Sequence, residues 1–265
     1  MANVMAITMR QKIKFARVVT LGMAILASSG HLYAVEKEYQ PFVERLRDDV
    51  KNRSWENMST YISLPLSRKY PVPAIRSKAE LKRRFDELFD AELTQIIVAS
   101  DAEKDWSSMG WRGVMLHSGI VWLDYDGRLI AINHQSAAEK ALRANLIRRD
   151  KEALHQSLRS YEDPIFAWQT TRFKIRLDDI GGDNYRYASW SNDKTHRDKP
   201  DLVLSNGVLR FDGSGGNHTY TFRAGTYAYI LYVNHIGASE TSEGELRVFK
   251  DGIEILHDAV VGGNE

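Results

Sequence analysis

The residues able to do chemistry fall into two groups. The first is a loop, Asp212-Gly213-Ser214-Gly215-Gly216-Asn217-His218. Its glycines permit the positive φ that a nest of backbone amides needs to hold an anion. It is not a dinucleotide fingerprint, because His218 stands where the sixth-position glycine belongs and no helix pattern follows. It lacks the lysine and spacing of a P-loop. Asp212 and Asn217 offer two candidate oxygens, and calcium takes six or more. The same glycines suit a plain hairpin connection, the better supported reading. The second group is Tyr185-Arg186-Tyr187-Ala188-Ser189-Trp190, where rings alternate with other side chains. In a strand, Tyr185, Tyr187 and Ser189 share one face, and Arg186, Ala188 and Trp190 the other. Arg186 can stack on a ring or grip a carboxylate with two prongs. A core face backed by a solvated face explains the same pattern.

Arg186, Tyr187, Trp190, Asp212, Ser214, Asn217 and His218 therefore form the candidate ligand- or partner-binding set. No catalytic residue is assigned. The chain has no cysteine, which removes thiol catalysis and cysteine-ligated zinc. His196, His218 and His235 are too scattered for a zinc site, so no metal and no cofactor is expected. Neither a Gly-x-Ser-x-Gly elbow nor a His-Glu-x-x-His helix occurs. In the first half, Asp101, Asp105, His117, Asp124 and His134 are ionisable, yet none has a second catalytic group at a telling distance along the chain.

The elements that must carry these groups are legible from periodicity. Phe42, Val43, Leu46 and Val50 predict a helix near 39–51, and Ser54 caps a second one reaching Ile62. Ser77-Lys78-Ala79-Glu80 and Ser136-Ala137-Ala138-Glu139 are capping boxes, opening helices over 77–91 and 136–161. Between them the period falls to two. Trp111 to His117, Ile120 to Leu123 and Arg128 to His134 predict a meander with turns at Ser118-Gly119 and Asp126-Gly127. From Ile165 onwards strand signals recur about every ten residues, the spacing of a sandwich or small barrel.

The two-helix opening, the 77–91 helix and the run from Trp111-Arg112-Gly113 through Gly119-Ile120-Val121-Trp122 to Asp126-Gly127 resemble the NTF2-like (SnoaL-like) superfamily over residues 38–134. The resemblance implies an α+β fold in which a curved sheet wraps a helix and leaves a conical pocket. Tyr61, Trp106, Trp111, His117 and Trp122 would line that cone. The expected fold is thus an NTF2-like cone over 35–163, followed by an all-β sandwich or barrel over 164–265.

Residues 1–34 read as a secretory signal peptide. Arg10, Lys12, Lys14 and Arg17 precede an apolar run, Val18 to Ala27, and Leu32-Tyr33-Ala34 offers a cleavage site after Ala34. The run is shorter than the ~20 residues that span a bilayer. The chain carries 36 basic and 35 acidic residues, and the leader holds four of the basic and none of the acidic. The remaining 231 residues carry 32 against 35, a net −3, with no electrostatic case for nucleic acid. A cysteine-free exported chain suits a bacterial periplasm. The expectation is an exported, non-enzymatic protein that recognises a protein or envelope component, of immunity or inhibitor type. The alternative is a small-molecule binder or lyase-type enzyme using the cone.

Overall fold

The computed structural model describes residues 33–34, 37–213, 216–234 and 242–263. Of residues 1–34, where a signal peptide is expected, Tyr33 and Ala34 alone are described, and Ser214 also lies outside the described residues.

The first half is a small α/β layer. Strand β1 (Tyr33–Ala34) precedes helices α1 (Gln40–Lys51), α2 (Trp55–Met58), α3 (Lys78–Leu88) and α4 (Ala91–Ala99). Strands β2 (Trp106–Ser108), β3 (Val114–Leu116), β4 (Val121–Leu123) and β5 (Leu129–Ile132) complete a five-stranded antiparallel sheet in the order β1-β2-β3-β4-β5. Three predicted helices differ in length. The second collapses to one turn at 55–58, the one expected over 136–161 ends at Ala153, and the 77–91 helix stops at Leu88. The break is local chemistry: Phe89 leaves helical space, and the Asp90 carboxylate then caps α4 by accepting from the Leu93 amide at 2.9 Å.

Helix α5 (Ala137–Ala153) opens on its capping box, with Ser136 Oγ accepting from the Glu139 amide at 3.1 Å. It leads into eight strands: β6 (Asp163–Thr170), β7 (Phe173–Asp179), β8 (Tyr185–Ser191), β9 (Leu202–Phe211), β10 (His218–Ala224), β11 (Tyr227–Val233), β12 (Gly244–Lys250) and β13 (Ile253–Gly263). Every neighbour pairs antiparallel, and β13 returns to β6, closing the barrel. Both halves belong to one compact unit, Leu32–Glu265.

The expected fold class is corrected. The protein is mostly β, a closed eight-stranded barrel with a small sheet and short helices, not an NTF2-like cone followed by a sandwich. The physical reason is strand length. At roughly 3.3 Å per residue, strands of two to four residues are too short to wrap a helix. The space between helices and sheet is packed by Leu46, Met58, Leu81, Phe85, Phe89, Leu93 and Trp106.

The chain runs straight through Asn206-Gly207 within β9. Asn206 takes a positive φ of 60° and the register with β8 shifts there, which is a bulge. Gly207 is required for a separate reason. A Cβ would lie 2.4 Å from the Phe222 ring inside the barrel. That interior is filled by Phe166, Trp168, Ile175, Leu177, Tyr187, Tyr220, Phe222, Leu231 and Leu246. An eight-stranded barrel is just wide enough for side chains to fill it. Gly207→Ala is therefore expected to lower unfolding stability by about 1–3 kcal/mol, read by urea denaturation; an unchanged midpoint would contradict this packing.

Candidate functional site

The site rests on a charged layer between α5 and the barrel wall. Along β7, Ile175 and Leu177 point into the barrel, while Arg176 and Asp178 point out. Arg176 is fully buried. It grips Asp150 of α5 with two bonds, Nη1 to Oδ1 at 3.0 Å and Nη2 to Oδ2 at 2.7 Å, and its Nε donates to Asp178 at 2.8 Å. Burial works against its charge, but Asp178 and Asp150 more than offset this and raise its pKa above the ordinary guanidinium value. Arg186 of β8 joins the same Asp178 at 2.7 Å and donates to the carbonyls of Leu158 at 2.6 Å and Ser160 at 3.0 Å. Tyr161 donates to Asp150 at 2.6 Å, and its ring lies 5.0 Å from the Arg176 guanidinium. Leu154, Leu158, Ala188 and Trp190 surround this layer with apolar contact.

The same layer anchors a strap, residues 64–76, across one end of the barrel. Leu66 and Ile75 exchange backbone hydrogen bonds at 2.8 and 2.9 Å, closing the strap on itself. Arg68 is locked by Glu139 and by the His134 carbonyl at 2.6 Å. Arg143 of α5 donates to the Tyr70 carbonyl at 2.8 Å and pairs with Asp163, which also meets Lys69 at 2.8 Å. The Tyr70 hydroxyl lies beside Arg176; burial pushes its pKa up to about 12, with the Arg176 charge pulling the other way.

Strap and barrel mouth enclose a cleft of about 560 Å³. Its floor is Phe166, Trp168 and Tyr220. Phe166 and Trp168 stack at 3.7 Å, and Tyr220 meets Phe166 edge-on at 6.2 Å. Its rim carries Lys69, Arg76, Asp163, His218, Asn234 and Glu243. Both signs of charge stand on the rim around an aromatic base, an arrangement suited to holding a ligand or a partner's side chains.

The sequence-selected residues divide among four places. His218 lines the cleft, with Nδ1 2.8 Å from the Gly216 carbonyl and its ring 5.3 Å from Tyr220. Asp212 and Asn217 close the adjacent turn, the Asp212 amide donating to the Asn217 carbonyl at 2.8 Å. Arg186 and Trp190 sit on the outer wall beneath α5, where they hold structure together. Tyr187 is buried inside the barrel, and burial raises its pKa.

The residues expected to line a cone do not gather. Tyr61 is buried and donates to Asp49 at 2.9 Å, and Trp106 is buried and donates to Ser100 at 3.0 Å. Trp111 is 65% exposed, His117 stands 4.0 Å from Asp105 at the surface, and Trp122 donates to the Gly119 carbonyl at 3.1 Å. Sequence reading missed Lys69, Asp163, Phe166, Trp168 and Arg176. The Phe-x-Trp and Arg-x-Asp spacings, each on one face of a strand, were the available signals.

Among the described residues, one group has metal-ligand geometry: donor atoms of Asp90, Glu92 and His134 lie within 4.8 Å of one another. Its bonds are explained without an ion. Asp90 Oδ1 accepts from the Leu93 amide and lies 3.0 Å from His134 Nε2, at a helix N-terminus whose dipole disfavours a cation.

A scan against protein-family models finds no match, and comparisons with curated proteins and with solved structures likewise find none.

The buried phenols set a pH limit. Tyr70 ionises near 12 when folded against an ordinary 10, and burial raises Tyr61, Tyr161, Tyr187 and Tyr220 as well. The unfolded chain therefore loses these protons first, and stability falls as pH rises above the ordinary phenol value. Absorbance at the tyrosinate band should show a late group of tyrosines ionising together with loss of circular dichroism. Smooth ionisation near the ordinary value with structure intact would contradict it.

Proposed function

We propose that this is an exported binding protein of the bacterial periplasm, recognising a protein or envelope component through its barrel mouth, in the manner of an immunity protein or inhibitor. The observation that carries the reading is the cleft: an aromatic floor under a rim of Lys69, Arg76, Asp163, His218 and Glu243. The packed barrel interior points the same way, because recognition then falls to the mouth and rim. The basic, apolar and small-residue order of residues 1–34 supports export. The absence of cysteine agrees with a periplasmic address. The residues expected to line a cone are dispersed among the described residues, so the small-molecule or lyase alternative has less in its favour.

The test is affinity capture from an envelope extract, with residues 35–265 as bait. The expected result is one specifically retained component, lost or at least tenfold depleted with Arg76→Glu plus His218→Ala. It should be kept by Lys199→Glu, an exposed change beyond the far end of β8. Retention unaffected by the mouth variants, or no specific retention, would refute the reading.

A further inference from the structure

The barrel is closed, but its wall is uneven at the mouth. β8 pairs with β9 from Leu202 to Gly207 and stops at Tyr185. β9 runs on for Val208 to Phe211, paired with Thr221 to His218 of β10 on its other side. Among the described residues, no strand pairs with the side of this stretch that β8 has left. Val208 is 60% and Phe211 65% exposed, and Arg210 between them is exposed too.

An unpaired strand edge is a row of unused backbone donors and acceptors, a template for another strand. Proteins usually blunt such edges with proline, lysine or inward charges. Here two large apolar side chains stand exposed instead. The alternation of β9 puts Leu209 against the barrel core, so Val208 and Arg210 face outward and Phe211 faces the mouth. Thr221 and Arg223 share the outer face on β10. Neither Arg210 nor Arg223 has an ion-pair partner among the described residues.

We propose that the β9 edge from Val208 to Phe211 accepts an extended strand of a partner protein, with acidic side chains on the outer face and an apolar side chain beside Phe211. Backbone bonds supply affinity in such strand addition, and alternate side chains supply choice. The Arg210 guanidinium stands on the outward face of this edge, without an ion-pair partner among the described residues, and selects carboxylates, which it binds in two-pronged fashion. A second copy of this chain fits less well, because pairing edge to edge would bring the Arg210 of both copies onto one face, like charge against like. The proposal rests on the binding reading and names the chemistry of the partner.

The test uses the full-length protein and a fluorescent decapeptide of alternating Glu and Val. Its controls are the same peptide with one central Val replaced by Pro, and a Lys-Val counterpart. The expected result is saturable binding of the Glu-Val peptide, with slowed hydrogen exchange at the amides of 208–211. Binding should be about tenfold weaker with Arg210→Glu or Phe211→Ala. The proline and Lys-Val peptides should not bind. Equal binding of the proline peptide, indifference to Arg210→Glu, or no slowing at 208–211 would overturn the proposal. Slowing confined to 163–168 and 233–234 would also overturn it while leaving the cleft reading intact. Loss of captured component in the mouth variants, with no peptide effect at 208–211, would separate the two in the same way.

Discussion

One guanidinium ties three parts of this chain together. Arg176 leaves the barrel wall on β7, takes both oxygens of Asp150 on α5, and shares Asp178 with Arg186 of β8. Tyr161 and Tyr70 close over it from the segment after α5 and from the strap. A buried charge is tolerable only when its partners are all in place. The arrangement therefore fixes the position of α5, the strap and the barrel wall at once. Arg143, one face of α5, then holds Asp163 and the Tyr70 carbonyl, and Lys69 meets Asp163 from the strap. The cleft is the space left when these pieces are set.

The barrel contributes rigidity to that geometry. Its interior is occupied by rings and branched side chains, and glycines mark where rings need room. Gly244 is one, since a Cβ there would stand 2.3 Å from Trp168. Trp168 in turn supports the cleft floor through its stack with Phe166. Core packing and site construction are thus the same residues seen from two sides. Small changes in volume deep in the barrel are felt at the mouth, because interiors packed to crystal-like density transmit strain.

Local signals in the sequence were good guides to elements and poor guides to their assembly. Ser77 and Ser136 cap helices where their boxes stand. The two faces of 185–190 separate as alternation requires, with Tyr187 in the barrel and Ala188 and Trp190 under α5, but the second face is buried beneath the helix rather than solvated. Short apolar runs in the first half say nothing about how far a sheet extends, and there the expected cone gave way to strands of a few residues. His218 and the turn from Asp212 to Asn217 were visible as a glycine-rich strand end. Lys69 and Asp163, which line the same cleft, were not, since they lie 94 residues apart in the sequence and meet only through the strap. Arg176 was invisible for a similar reason: a charged residue in a strand reads as solvent-facing until a helix is known to cover it.

The most direct test of this account is the unfolding stability of Arg176→Met at neutral pH. The substitution keeps the bulk of the side chain and leaves Asp178 and Asp150 without their shared cation. If the guanidinium holds helix, strap and barrel together, the loss should be about 3–5 kcal/mol, with faster hydrogen exchange in residues 64–76. A loss below about 1 kcal/mol, with the strap as protected as before, would show that the three parts are held in place by something else.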